Sequence, residues 1–167
     1  MARAASAPER AEIPDKLTLR LWLRLLACST LVEKTIRARL AREFATTLPR
    51  FDVLAALERA PAGLQLGELS KSLRVSNGNI TGIIARLVAE GMVDRQADES
   101  DARVARVSLT PSGREAFLRM SGAHQAWVEA LFGGIDGEEQ AELLALLSRL
   151  RRALANNVGS GFGPRPL

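Results

Sequence analysis

The chain has almost none of the side chains on which catalysis and metal binding are usually built. Its 167 residues include one cysteine, one histidine and no tyrosine. A single cysteine excludes an internal disulfide framework, and one histidine beside it leaves too few ligands for a conventional metal cage. There is no glycine-rich phosphate loop, nucleophile elbow or pair of catalytic carboxylates. The sequence therefore argues against an enzyme, with no catalytic residues, no metal and no cofactor expected. Aromatics make up 4% of the chain, which points to a core of Leu, Ile, Val and Ala between helices. The apolar stretch from Leu17 to Leu31 is broken by Arg20 and Arg24, so it does not read as a membrane span. Residues 1–13 hold Arg3, Arg10 and Pro8 among small residues instead of the apolar run of a signal peptide. A cytoplasmic protein with no membrane contact is expected.

What is present is arginine and a high apolar content. Lys and Arg number 23 against 19 Asp and Glu, a net charge of +4. That balance is compatible with a nucleic-acid partner without proving one. With 47% hydrophobic residues, the chain can build the core of one ordinary domain or two small joined ones.

Residues 1–14 read as a mobile arm, and the Gly/Pro-rich residues 158–167 as a disordered tail. From Asp15 to about Phe44 no Gly or Pro interrupts a helix, and Leu21, Leu25, Cys28, Val32, Ile36 and Leu40 follow helical spacing. Such a helix spans roughly 45 Å, longer than one small core needs. Leu19, Leu23, Leu26 and Leu31 make its first half apolar nearly all round, and a partner subunit is the simplest cover. A central module, residues 46–110, follows this helix. In that module Pro49 suits a first helical turn, and Phe51, Leu54 and Leu57 line one face. Ala60-Pro61-Ala62-Gly63 ends the element. Two short helices follow, Leu66 to Leu73 and Ser76 to Glu90, the second stopped by Gly91. Strands at about 92–96 and 104–109 form a hairpin, in which Ala105, Val107 and Leu109 alternate with Arg106 and Ser108 to give one buried and one wet face. Thr110-Pro111 opens a helix bearing Phe117, Trp127 and Leu131. Asp136 and Glu139 make a capping pair before Leu143, Leu147, Leu150 and Leu154 on the last helix.

The central pattern is a helix-turn-helix followed by a wing. At 100° per residue, Ile80, Ile83, Ile84 and Leu87 share one face, while Gly78, Asn79, Thr81, Gly82, Ala85 and Arg86 share the other. A small, polar outer face lets a helix enter the major groove, where Asn and Arg can pair with base edges. Ser76 as cap, next to Asn77, leaves backbone N–H groups for a phosphate. The alternative is an ordinary surface helix whose glycines serve close packing. Arg103 at the wing tip could enter a narrow minor groove, held by Asp101 through a paired hydrogen bond. Lys71, Arg74, Arg95 and Arg106 are phosphate candidates.

The run Arg86 to Arg95, Asp101-Ala102-Arg103 and Val107 to Pro111, behind Leu66 to Leu73 and Ser76 to Gly82, resembles the MarR family of bacterial transcription regulators. The resemblance covers about residues 17–155. It implies a mainly α fold with a small β-hairpin wing, in which a winged helix-turn-helix DNA-binding domain (residues 46–110) stands between dimerisation helices at residues 15–45 and 111–157. It also implies a homodimer on a pseudo-palindromic double-stranded DNA operator, usually a repressor released by a small molecule. The family's D-x-R wing pattern falls on Asp101-Ala102-Arg103. Many relatives carry a basic residue where Ala102 stands, which implies a lighter grip.

The strings Leu19 to Leu26, Cys28 and Thr47 to Asp52 resemble members that govern breakdown of hydroxycinnamic acids. This implies an aromatic coenzyme A thioester as effector, p-coumaroyl-CoA or feruloyl-CoA, in a cleft between the first, second and fifth helices. Trp22, Leu25, Cys28, Phe51 and Leu54 would then meet the aromatic acyl group. Arg20, Arg24, Arg37, Arg42 and Arg50 are available for the phosphates, and His124 for a ligand hydroxyl. Other readings remain open. His124 could be an ordinary core or interface histidine, Trp22 a packing residue, and Cys28 a small buried hydrophobe or a redox sensor. The effector could be a free phenolic acid, or the protein could be an architectural DNA binder with no effector.

Overall fold

The structure, a computed structural model, describes residues 16–73, 75–97 and 105–159. The chain order is α1 (Leu17–Phe44), α2 (Leu48–Glu58), β1 (Leu64–Gln65), α3 (Leu66–Leu73), α4 (Asn77–Ala89), β2 (Val93–Ala97), β3 (Ala105–Leu109), α5 (Pro111–Phe132) and α6 (Gly137–Gly159). The fold is mainly helical with a small antiparallel sheet, as expected. The arm before residue 16 and the tail after 159 lie outside the described residues.

The core surrounds α2, whose Phe51, Val53, Leu54, Ala56 and Leu57 are all buried. Leu69 of α3, Ile80, Ile84 and Leu87 of α4, and Val93 and Val107 of the sheet close on it from one side. Ile36 and Leu40 of α1 and Phe117, Met120 and Trp127 of α5 close on it from the other. Contacts between rings continue this core: Phe51 lies 5.6 Å from Phe117, and Phe44 6.0 Å from Trp127. Of α1 only Ile36 and Leu40 are buried. The leucines of its first half face solvent in the single chain, and α6 buries none of its described side chains.

The sheet has three strands in the order β1-β3-β2, where the sequence suggested two. The extra strand pairs Leu64 with Val107 and Gln65 with Arg106. Gly63 makes this possible. Its φ is +78°, and a Cβ there would lie 2.7 Å from the Val107 carbonyl oxygen. Only glycine tolerates both conditions.

Local chemistry sets the helix ends. Gly91, at φ +70°, donates its N–H to the Val88 carbonyl, and Met92 donates to Leu87. That double bond is the Schellman closure of α4. Thr110 then starts α5. Its Oγ1 accepts from the Gly113 N–H at 2.9 Å and donates to the Gly91 carbonyl at 2.7 Å, so the end of α4 and the start of α5 are one joint. Gly113 sits so close to Met92 that a Cβ would fall 1.8 Å from its carbonyl oxygen. At α6 the expected capping box is present: Asp136 accepts from the N–H groups of Glu138 and Glu139, and Glu139 accepts from that of Asp136. α1 ends on Ala45 at φ +48°, with no glycine to relieve the left-handed turn.

Candidate nucleic-acid interface and adjoining groove

α4 divides its side chains as its periodicity requires. Ile80, Ile84 and Leu87 are buried, and Ile83 is half-buried at the edge of the core. Gly78, Asn79, Thr81, Gly82, Ala85 and Arg86 are exposed on the opposite face. Gly78, Gly82 and Arg86 recur every fourth residue and form one row. A Cβ added at Gly78 or Gly82 would meet nothing within 4 Å. Close packing within the chain therefore does not account for these glycines, although each costs an exposed helix about 1 kcal/mol relative to alanine. What they create is a low, open surface flanked by Asn79 and Arg86.

Ser76 has the extended backbone of an N-cap (ψ 147°), but its hydroxyl makes no capping bond. Its carbonyl accepts from the Ile80 N–H, and the Thr81 hydroxyl donates to the Asn77 carbonyl at 2.9 Å. The first-turn N–H groups of α4 are thus not occupied by the cap side chain. Lys71 is exposed in the last turn of α3, and Arg95 on β2. Arg106 has a structural partner that sequence reasoning did not foresee: half-buried, it donates from Nη1 to the Gly63 carbonyl at 3.0 Å. It braces the turn that leads into β1. Arg74, Asp101, Ala102 and Arg103 lie outside the described residues.

A groove of about 590 Å³ opens beside this module. Leu21, Arg24, Leu25, Cys28 and Val32 of α1 form one wall, and Leu143, Leu147 and Leu150 of α6 the other. Ser29, Glu33 and Ile36 of α1, Leu48 of α2, and His124 and Phe132 of α5 complete it. Four expected residues come together here: Arg24, Leu25, Cys28 and His124. The others do not. Arg20 and Trp22, near the start of α1, are not among the residues that line it, and Trp22 is left 55% exposed. Phe51 and Leu54 belong to the core, because the packing face of α2 points them inward. Phe51 still touches the site indirectly, with its ring stacked on His124 at 4.8 Å. Arg50 leaves the groove altogether and pairs with Glu90 at the end of α4. Arg37 and Arg42 are engaged with Glu33 and Glu43. Cys28 is exposed in the groove wall, not the buried hydrophobe that helical spacing suggested.

Two features, one in the groove and one within electrostatic reach of its His124 and Glu33, had no clear signal in the sequence. One is α6, whose leucines read only as an amphipathic stripe. The other is Asp52, half-buried on α2. Burial pushes its carboxyl pKa up from 3.8, against the pull of Arg37, His124 and Arg59. Among the described residues, no group of three or more His, Cys, Asp or Glu is placed to hold a metal. No described helix is long and apolar enough to cross a membrane.

Comparison with known proteins bears on this arrangement. Residues 46–104 match the family model described as MarR family. Over 141 residues the chain is 33% identical to the transcriptional activatory protein BadR of Rhodopseudomonas palustris, covering 83% of this chain and 78% of that protein. The crystal structure of a MarR family transcriptional regulator from Silicibacter pomeroyi superposes with a TM-score of 0.72 at 30% identity, over 86% of this chain and 99% of that one. A mutant MarR from E. coli, complexed with operator DNA, shares the fold, with a TM-score of 0.71 at 24% identity over 81% and 96% of the two chains.

Proposed function

The chain belongs to the MarR family and is a DNA-binding transcriptional regulator; from that premise we propose that it is a homodimeric, ligand-released repressor. α1, α5 and α6 form the dimer region, and residues 46–110 the DNA-binding module. α4 enters the major groove with Asn79 and Arg86 at base edges and the open row of Gly78 and Gly82 against the duplex. Ser76, Asn77, Thr81, Lys71 and Arg95 meet the backbone. The observation that supports this most is that row of glycines on an exposed helix face, where an added Cβ would touch none of the described residues. Two modules on one two-fold axis would read half-sites about one helical turn, 10–10.5 bp, apart.

The groove between α1 and α6 is the effector site in this reading. Its lining is overwhelmingly apolar, and its volume of about 590 Å³ suits an aryl-acyl group. Coenzyme phosphates would remain outside, near Arg24 and, one turn earlier, Arg20. His124, which lines the groove on the α5 side, would meet a phenolic hydroxyl. The effector is a hydroxycinnamoyl-CoA thioester, p-coumaroyl-CoA or feruloyl-CoA. Fluorescence anisotropy of an operator duplex tests this: p-coumaroyl-CoA should release the DNA where coenzyme A alone does not. Release by free p-coumaric acid, with the thioester inert, would overturn the thioester reading in favour of a phenolic acid.

One observation favours a second reading of the output. The relative BadR is described as a transcriptional activatory protein. A regulator with the same DNA grip can raise transcription when its site lies upstream of a promoter. A reporter carrying the operator separates the two, since deleting the protein raises expression only under repression.

A further inference from the structure

The open row on α4 belongs to a cleft. Gly78, Gly82 and Ile83 of α4 line a space of about 450 Å³ together with Pro49 in the first turn of α2 and Val75, two residues before α4. Thr47, Asn79 and Arg86 supply its polar groups, and Arg50, already engaged with Glu90, completes it.

Pro49, Val75 and Ile83 are each left half-buried there. Val75 and Ile83 pack against the core and still reach the cleft. The core does not require that opening. A Cβ at position 78 or 82 would touch none of the described residues, and alanine would favour the helix over glycine. Glycine at both positions keeps the apolar surface beneath them uncovered.

The chemistry of a partner follows from where the cleft lies. In the major groove the base edges present hydrogen-bond donors, acceptors and one kind of apolar group, the C5-methyl of thymine. An apolar surface turned towards those edges has nothing else to bury. Cytosine carries only a hydrogen at C5 unless it is methylated.

Resting on the assignment of α4 to the major groove, we propose that the cleft between α2 and α4 is a methyl-reading site. Pro49, Val75 and Ile83 receive the C5-methyl of one pyrimidine in each half-site, and Gly78 and Gly82 leave room for the edge of its ring. The sugar and phosphate of that nucleotide take up the rest of the space, beside the Thr47 hydroxyl, which makes no capping bond to α2. Asn79 and Arg86 read hydrogen bonds, and this site reads a methyl group. Thymine and 5-methylcytosine are equivalent to it, whereas uracil and cytosine are not.

Anisotropy titrations of the full chain, on a duplex selected from random sequence by the protein, test this one base at a time. Deoxyuridine in place of thymidine removes only the methyl group. At one or two positions per half-site it should weaken binding about fourfold, and about fifteenfold when both half-sites are changed. At the same position a 5-methylcytosine·guanine pair should bind about fourfold tighter than cytosine·guanine. Val75→Thr exchanges a methyl for a hydroxyl at nearly constant volume, and Ile83→Thr removes apolar surface from the same site. Each should shrink the uridine penalty, and the double variant should bring it below about twofold per half-site. Val75→Thr alone carries the test where Ile83→Thr fails to fold. Guanine N7 methylation that interferes where no uridine does would leave α4 in the major groove and overturn the methyl site. Binding indifferent to both would overturn the assignment of α4 itself. A uridine penalty undiminished in Val75→Thr and in the double variant would place the methyl elsewhere and overturn the site.

Discussion

Replacing Leu144 by aspartate should split the molecule in two. Leu144 is 68% exposed in the single chain, on a helix that buries none of its described side chains. Full burial of a leucine side chain is worth about 1.5–3 kcal/mol, so the two-thirds still in solvent stand to gain about 1–2 kcal/mol from a partner. A two-fold axis presents each substitution twice, and the loss doubles to about 2–4 kcal/mol. The dimer dissociation constant should then rise about 30- to 700-fold. Desolvating two carboxylates adds to that. Sedimentation equilibrium over a concentration series reads the constant directly, and far-UV circular dichroism verifies that α6 remains helical. Leu23→Asp on α1, where the leucine is 52% exposed, should act in the same direction. A wild-type chain that sediments as a monomer, or a dimer constant untouched by both substitutions, would refute the reasoning.

Three further outcomes follow from particular residues. Gly82→Leu should move stability and DNA binding in opposite directions: the fold gains about 0.8–1 kcal/mol of helix propensity, while operator affinity in a gel-shift titration falls because the open row is blocked. Unchanged affinity would show that this face does not meet DNA. Gly113→Ala should destabilise by about 3 kcal/mol or more in urea unfolding, since its Cβ would collide with the Met92 carbonyl; a near-neutral result would mean that the joint between α4 and α5 opens freely. Asp52 holds its proton more tightly in the fold than in the unfolded chain, because burial outweighs its cationic neighbours. Its contribution is thus full below pH 3.8 and fades as pH rises through the raised value. Asp52→Asn should remove that decline, so the melting temperature of the variant gains on the wild type as pH rises from about 4 towards neutrality. Parallel curves would contradict it.

The helices were legible because local signals agree with one another. Pro49, Gly91, Thr110-Pro111 and the Asp136–Glu139 pair mark boundaries through bonds that span at most a few residues. The inward face of α4 could be read for the same reason, since Ile80, Ile84 and Leu87 follow the helical period. β1 could not, because two residues carry no periodicity and its pairing with β3 joins positions about forty residues apart. Gly63 looked like punctuation, and its need for a left-handed φ beside Val107 appears only once the strands meet. Which of the effector candidates share the groove was legible only in part, for the same reason. Helical spacing on α1 grouped Leu25 with Cys28, as the groove does, but it could not tell that Trp22 stays out of the lining, that Arg50 pairs with Glu90 across forty residues, or that α6 supplies the opposite wall.

Methylation interference at guanine N7, on a duplex selected from random sequence by this protein, tests the grip on DNA most directly. Two patches of interference in the major groove, centred about 10–10.5 bp apart on one face, are expected, and both should vanish with Gly82→Leu. Binding that ignores N7 methylation, or a single patch unaffected by α4, would contradict it.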